Sequence, residues 1–331
     1  NIPILMLIAS AGGFIFGLGL HSYIAYRAMP LIFLAFVPFF WREKKFYVIG
    51  VLFLLFTAIA AFPLVLHFTE IPADFFGRTT QISVFGSETL LKDLAINIGK
   101  TLGMFNVVGD FNWRHNLSGN PQLFWPVGIL FLTGFVFGLR SLFKRIFTKI
   151  ETDHTLAYTF LFLWFGVAML PVIVSNEGLP HALRAILMIP PAIILAAVGG
   201  MKLYAYLEKK IKKEKLLQVI TAVFLGILVL ESYNTYFTSW AQSEETKSAF
   251  NQNYVDIARE IRELPTESQK IIVVEAGGVI VRGIPMPAQT VMFMTNSFTE
   301  HGQSKNNISY VLPEEFNEDE ISKSTALFFI R

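Results

Sequence analysis

A seven-residue segment, 110–116, gathers six side chains that could bind or transform a polar ligand. They are Asp110, Asn112, Trp113, Arg114, His115 and Asn116. An indole face can stack on the C–H groups of a sugar ring, and amide and guanidinium groups can hydrogen-bond hydroxyls and phosphates. Asp110 or His115 could act as a general base or orient a hydroxyl group. Alternatively, Trp113 anchors the chain at a membrane interface and its polar neighbours simply face water.

Metal binding is a weaker interpretation of the same segment. Asp110 and His115 are both suitable ligand types, but a protein metal centre needs three or four ligands, and two on one loop fall short of that. We therefore predict no metal site from the sequence and leave metal dependence open. The chain has no cysteine, which excludes disulfides, thiol nucleophiles and thiolate metal sites.

Polar residues at the ends of apolar runs form a second set of candidates. Arg27 and Arg184 fall just inside apolar sequence. An arginine there must reach the interface, pair with an acid such as Glu177, or bind an anion such as a lipid phosphate. The candidates for substrate binding in this second set are His21, Tyr23, Arg27, Arg78, His181 and Arg184, and Glu177 is a further candidate for a catalytic carboxylate.

Long apolar runs must position these residues. The chain is 53% hydrophobic with a mean hydropathy of +0.51, which is typical of a multi-pass membrane protein. A run at 30–40, together with 22–29, can form one span in addition to the six long runs. We predict a polytopic all-α membrane domain over 1–236, with about seven spans. The six long runs cover 2–20, 46–66, 126–142, 155–174, 182–203 and 216–236.

Basic residues collect in three connections, 41–45, 140–149 and 202–215. If these face the cytoplasm, alternate loops obey the positive-inside rule. The outer loop 67–125, the 175–181 connection and everything after Tyr236 then lie outside a cell (plasma or inner) membrane. Basic clusters can also indicate nucleic-acid binding, but their spacing between spans already explains them, so we predict no nucleic-acid partner.

The outer loop 67–125 contains a pattern that predicts a helix lying along the membrane surface. Leu90, Leu91, Leu94, Ile98 and Leu102 form an apolar stripe at helical spacing, and Ser87-Glu88 can cap the start. The polar residues Lys92, Asp93, Asn97 and Lys100 fall on the other side. An interfacial helix fits this pattern, and so does a helix packed in a soluble cap.

The composition changes after Tyr236. Residues 237–331 hold eight basic and thirteen acidic residues, whereas the first 236 hold nineteen basic and twelve acidic ones. Helical spacing over 249–264 precedes four predicted strands, which indicates a small extracytoplasmic α/β domain. The strands are 270–275, 289–295, 308–312 and 326–330. Because the chain starts within an apolar run and ends within a predicted strand, we expect a fragment whose C-terminal domain is truncated.

Four stretches of the chain resemble the membrane GT-C glycosyltransferases, and more narrowly the branch of protein O-mannosyltransferases and lipid A aminoarabinose transferases. The similarity covers most of 1–240, and the C-terminal region resembles the periplasmic domains of such enzymes only loosely. The stretches are GLGLHSYIAYRAMPL (17–31), FFGRTTQISVF (75–85), MFNVVGDFNWRHNLSGNPQL (104–123) and NEGLPHALRAILMIPP (176–191).

The resemblance implies transfer of a sugar from a polyprenyl-phosphate donor to a hydroxyl of a protein, lipid or glycan acceptor at the outer leaflet. Arginines bind the phosphate and a carboxylate serves as base, and no cofactor beyond the lipid-linked donor is implied. In that family the main carboxylate lies in the first extracytoplasmic loop, which would precede Asn1. The N-terminal part is then missing, the fragment itself can be inactive, and Asp110, His115 and Glu177 are in-chain candidates only.

Two functions from other classes stay open. A transporter or flippase of lipid-linked glycans predicts inverted repeats and charges at mid-membrane depth, whereas the charges here gather at span ends. A non-catalytic membrane scaffold would use the acidic C-terminal region to bind a partner, and no transfer reaction would then depend on the loop residues.

Overall fold

The computed structural model describes residues 2–33, 37, 44–76, 84–148, 155–175, 178–281, 283–317, 322 and 325–331. The chain divides into two compact units, Asn1–Tyr236 and Phe237–Arg331, and each is described by itself. The helices of the first unit are α1 Ile2–Gly19, α2 Lys44–Glu70, α3 Pro72–Phe76, α4 Leu90–Gly103, α5 Trp125–Thr148, α6 Thr155–Ile173, α7 Ile189–Ile211 and α8 Glu214–Tyr233. A π-helix, Asn234–Trp240, includes the boundary between the two units.

Six of the described helices, α1, α2 and α5 to α8, are long and apolar enough to cross a membrane. This confirms the prediction of a multi-pass helical protein. The predicted seventh span begins as a shorter apolar helix, Ile24–Phe33, whose first turn is the 3-10 helix Ile24–Ala28. Most of its remaining length, up to residue 40, lies outside the described residues, so seven spans stay a prediction.

Helices α5 and α7 cross in backbone contact. A Cβ atom on Gly134 of α5 would lie 1.8 Å from the carbonyl oxygen of Leu195, and one on Gly199 of α7 would lie 1.9 Å from that of Leu130. Small residues allow helices to approach this closely in a membrane, where dispersion contacts rather than hydrophobic burial hold helices together. The crossing fixes α5 and α7, whose N-terminal ends follow the 104–123 and 178–188 segments.

Helices α1 and α2 pack in the same manner. A Cβ atom on Gly13 would lie 2.2 Å from the carbonyl oxygen of Phe53. The hydroxyl of Thr57 donates to the carbonyl of Gly13 at 3.0 Å, and a ring nitrogen of His21 lies 2.8 Å from the carbonyl oxygen of Ala60. These polar contacts join the two helices along their length and at the C-terminal end of α1.

Helix α7 starts later than the sequence predicts. The apolar run begins at 182, but the regular helix begins at Ile189, after a 3-10 turn, Ile186–Met188. The proline pair at 190–191 explains the boundary, because proline fits the first helical positions and cannot donate a hydrogen bond further along. Arg184 therefore lies in the connecting segment before α7 and not within the regular helix.

Helix α4 confirms the predicted helix after Ser87. Asn97, on the side opposite the apolar stripe, is buried, with 5% of the residue exposed. Its side-chain amide donates to the carbonyls of Ile173 at 2.9 Å and Ser175 at 3.3 Å. The end of α6 leaves carbonyl groups without helical partners, and Asn97 supplies them with a donor. Leu91, on the apolar stripe, is 83% exposed.

The second unit is an α/β fold around a three-stranded parallel sheet of order β4-β1-β5. Helices α10 and α11 pack against each other, and both contribute to the core around β1. Its elements are α9 Glu244–Ala249, α10 Gln252–Glu263, β1 Lys270–Val274, β2 Ile280–Val281, β3 Ile284–Pro285, α11 Gln289–Met294, α12 Glu300–Asn306, β4 Ile308–Val311 and β5 Ala326–Ile330. The short strands β2 and β3 form a separate antiparallel pair.

Three of the four predicted strands are present, and the prediction for 289–295 is wrong, because this segment forms α11. Val291, Met292 and Thr295 are buried while Phe293 is 81% exposed, which is helical rather than alternating burial. The preceding 3-10 turn, Met286–Ala288, already has helical backbone and leads directly into α11.

Lys270, the first residue of β1, has a buried ammonium group. The residue is 2% exposed, and its Nζ donates to the carbonyls of Pro265, Ser268 and Asn306 at 2.8, 2.9 and 3.1 Å. Burial lowers the pKa of Lys270, and the nearby charge of Glu267 opposes this effect. The three carbonyls satisfy a charge that would otherwise be costly to bury, and they join the segment before β1 to the end of α12.

Candidate functional site

Two glycines shape the loop that carries the polar segment 110–116. The amide of Gly109 donates to the carbonyl of Gly119 at 3.0 Å, and the amide of Gly119 donates to that of Asp110 at 2.9 Å. Gly119 has a positive φ of 75°, and a Cβ atom on Gly109 would lie 1.8 Å from the carbonyl oxygen of Asn120. Only glycine fits both positions. These backbone hydrogen bonds close one ordered loop around the polar segment.

The carboxylate of Asp110 is at the centre of this loop and is buried, with 3% of the residue exposed. One oxygen accepts the backbone N–H of Asn112 at 2.8 Å. The other accepts the backbone N–H of Ala182 at 2.8 Å and lies 2.9 Å from Nδ1 of His115. Asp110 thereby joins two segments that are 72 residues apart in the chain.

His181, from the second segment, completes a group of three. Its Nδ1 lies 4.0 Å from the carboxylate of Asp110, and its ring stacks on that of His115 with centroids 4.9 Å apart and planes 28° apart. The backbone N–H of Arg184 donates to the same Nδ1 at 3.3 Å. The side chains of His115 and His181 are 14% and 16% exposed, so the edge of the cluster reaches the surface of the unit.

Two of the predicted sugar-binding residues hold the loop together. The amide of Asn116 donates to the carbonyls of Asp110 at 3.1 Å and Asn120 at 2.7 Å. The side-chain oxygen of Asn112 accepts the backbone N–H of Arg114 at 2.9 Å, an Asx turn of the kind that asparagine forms locally. Next to them, Trp113 is half-buried and the residue Arg114 is exposed.

Arg184 reaches the end of α6. Its guanidinium donates to the hydroxyl of Ser175, a residue that is 3% exposed and whose carbonyl accepts from Asn97. Arg184 thus connects the 178–188 segment with α6 and α4, while its backbone N–H contacts His181. Glu177, predicted as a catalytic candidate or as the acidic partner of Arg184, lies outside the described residues.

Arg27 occupies a different position in the first unit. Its guanidinium lies over the rings of Phe68 and Phe75, 4.7 and 4.8 Å from their centroids, and donates to the carbonyl of Phe75 at 3.1 Å. Among the residues that the structure describes, Arg27 has no ion pair with a carboxylate. A cation held by two aromatic rings keeps its charge available for an anion.

Of the other predicted residues, the structure describes His21 and Tyr23. His21 is exposed and bonded to α2, as described above, and Tyr23 is half-buried just before the 3-10 turn that carries Arg27. Arg78 lies outside the described residues. Sequence reasoning selected Asp110 and His115 on one loop and His181 on another, and the structure brings all three together.

Sequence reasoning missed the hydrogen bond from Ala182 to Asp110. Its donor is a backbone N–H, and the identity of the side chain gives no sign of that. The cluster also alters the interpretation of metal binding. One ligand atom from each of Asp110, His115 and His181 lies within 4.8 Å of the others, so the two ligands visible on one loop become three.

No family model, curated protein or solved structure matches the chain.

Proposed function

We propose that the chain is an integral-membrane glycosyltransferase that moves a sugar from a polyprenyl-phosphate donor to an acceptor hydroxyl at the outer face of the cell membrane. The observation that supports this most is the cluster of Asp110, His115 and His181 at the ends of apolar helices. It is a buried carboxylate beneath two partly exposed imidazoles, and both imidazoles can hydrogen-bond a hydroxyl group.

In the proposed reaction an acceptor hydroxyl attacks the anomeric carbon, the bond from that carbon to the phosphate oxygen breaks, and polyprenyl phosphate leaves with the electron pair. The hydroxyl proton passes to a base. Asp110 fixes the ring of His115, whose Nε2 edge is left for a sugar or acceptor hydroxyl. Trp113 and Arg114, on the same loop, contribute a ring face and a charge for the sugar.

Arginines supply the charge that a lipid phosphate requires. Arg27 lies over the rings of Phe68 and Phe75 near the end of a long apolar helix, and Arg184 is anchored beside the histidine cluster. Guanidinium groups bind phosphate through paired, charge-assisted hydrogen bonds. In this proposal the C-terminal unit lies outside the membrane, and Arg78 and Glu177 are further candidates for the same site.

The test is release of polyprenyl phosphate from a labelled donor by the full chain in lipid vesicles, with thermal stabilisation by the donor as a second readout. Arg27→Ala and Arg184→Ala should each weaken donor binding about ten- to 150-fold, because a lost charge-assisted hydrogen bond costs about 1.5–3 kcal/mol. Arg140→Ala, in the C-terminal half of α5, is the matched control and should change neither readout. A chain that neither binds nor turns over the donor contradicts the proposal.

A further inference from the structure

We propose that Asp110, His115 and His181 form a binding site for one divalent transition-metal ion, with Zn²⁺ as the best match. The inference goes beyond the proposed sugar transfer, and it can be tested without donor or acceptor. Imidazole nitrogens and a carboxylate oxygen are the ligand types that zinc and its neighbours in the first transition row accept.

The distances between ligand atoms are close to those of a metal centre. Oδ2 of Asp110 lies 2.9 Å from Nδ1 of His115 and 4.0 Å from Nδ1 of His181. A tetrahedral ion with bonds of 2.0–2.1 Å separates its ligands by about 3.3 Å. These two separations differ from that value by less than about 1 Å. All three ligand atoms lie within 4.8 Å of one another, so the two histidine side chains must rotate to converge on one ion.

The carboxylate is fixed before any ion arrives. The backbone N–H groups of Asn112 and Ala182 both donate to Asp110 at 2.8 Å, and such outer hydrogen bonds orient ligands and raise affinity in metal sites. Binding would replace the Nδ1 proton of His115. It would also replace the contact from the backbone of Arg184 to Nδ1 of His181, which is long at 3.3 Å.

The site offers three protein ligands and an opening. The side chain of Asp110 is 4% exposed, but those of His115 and His181 are 14% and 16% exposed. Three protein ligands with a fourth position left for water or a substrate oxygen are typical of catalytic rather than structural zinc sites. The fourth ligand we infer is a water molecule or an anionic oxygen such as that of a phosphate.

The chain contains a matched control for this site. His67 and Asp74 also lie 2.9 Å apart, but they provide only two ligands and their side chains are 46% and 54% exposed. A general affinity of histidine–carboxylate pairs for metals would appear at both places. If the ion needs all three ligands, metal binding will depend on the Asp110 cluster and not on the His67–Asp74 pair.

The experiment is titration of the metal-stripped full chain with Zn²⁺ by calorimetry, and with Co²⁺ by its visible absorption. We expect one ion per chain. His115→Ala and His181→Ala should each reduce affinity at least about 100-fold, since loss of an outer partner alone costs 10–100-fold, and His67→Ala should leave affinity unchanged. Absence of stoichiometric binding, or equal losses in all three variants, overturns the inference.

Stability measurements keep the test decisive if an alanine variant folds poorly. Zn²⁺ should raise the unfolding temperature of the full chain by mass action, and His115→Gln and His181→Gln, which keep a polar side chain, should remove that increase. An increase that survives in both glutamine variants also overturns the site. Ion binding without any binding of the lipid-linked donor would support the metal site and count against the proposed enzyme.

Discussion

The carboxylate of Asp110 connects two loops of the first unit. Its two carboxylate oxygens receive N–H groups from Asn112 and Ala182 and contact Nδ1 of His115. A carboxylate accepts at both oxygens, whereas an amide accepts at only one and donates at the other. The contact between the loop at 109–120 and the segment at 178–188 therefore requires a side chain with two acceptor oxygens at position 110.

We predict that Asp110→Asn destabilises the first unit by about 1–3 kcal/mol, because the new NH₂ group faces an N–H donor and leaves buried groups unpaired. The unfolding temperature of the full chain in detergent should fall by several degrees. Asp74→Asn, in the exposed pair with His67, should change stability by no more than about 0.5 kcal/mol. Equal effects of the two variants would show that burial of Asp110 is unimportant.

Sequence reasoning reached part of this arrangement. Asp110 and His115 are five positions apart on one loop, so their association was visible in the sequence. The association with His181 and with the backbone of Ala182 was not visible, because it depends on how two loops are brought together by α5 and α7. Asn112 and Asn116 were predicted to bind sugar, but local hydrogen bonds to the backbone also involve them.

Tyr310 gives the second unit a pH dependence. Its hydroxyl bonds that of Ser297 at 2.7 Å, and burial raises the pKa of Tyr310, while hydrogen bonds from Ser297 and Thr295 oppose the rise. The phenol is thus favoured in the folded state over the phenolate. Its contribution to stability is fully present below the unfolded pKa of about 10 and is lost as pH rises through the higher folded value.

We predict that Tyr310→Phe lowers the unfolding temperature of the second unit at neutral pH by removing the bond to Ser297. Above about pH 10, the unfolding temperature of the variant should also change less with pH than that of wild type. Thermal unfolding followed across the alkaline range provides the measurement. Parallel curves for the two proteins would show that Tyr310 contributes nothing to this dependence.

At the scale of elements, the glycine crossing of α5 and α7 sets the positions of the two loops. We predict that Gly199→Ala destabilises the first unit by about 1–3 kcal/mol, the usual cost of overpacking, because its Cβ would meet the backbone of Leu130. Gly226→Ala, on α8 with nothing within 4 Å of the added Cβ, should be neutral or stabilising by up to about 1 kcal/mol. Thermal unfolding of both variants makes the comparison.

The same Gly199→Ala variant should weaken Zn²⁺ binding as well, since a displaced α7 moves His181 away from Asp110. If the variant loses stability but keeps full affinity for the ion, the helix crossing does not set the positions of the two loops.

Some elements could be predicted from the sequence more accurately than others. The long apolar helices were found because their length alone is diagnostic. Segment 289–295 was misassigned because its β-branched and aromatic residues favour a strand, and packing against α10 overrode that propensity. The burial of Asn97 was not predicted, because it depends on carbonyl groups at the end of α6, which a hydrophobic pattern cannot reveal.

At the scale of the whole molecule, the two units differ in what covers them. Helix α8 of the first unit leaves Val229 and Leu230 69% and 70% exposed, a surface that a lipid bilayer would cover. The second unit has an ordinary buried core around β1. We therefore expect detergent to change the stability of the first unit much more than that of the second.

Lys270 makes chemical reactivity a measure of folding in the second unit. An amine reagent can reach its ammonium nitrogen only when the three carbonyls around it separate, so modification reports opening of the structure. In the native full chain, mass spectrometry should find Lys270 labelled far more slowly than exposed Lys305 of α12, and the two rates should converge in denaturant. Equal native rates would contradict the buried position, whereas a slow rate would let this lysine record the unfolding of the second unit while the first remains in its membrane.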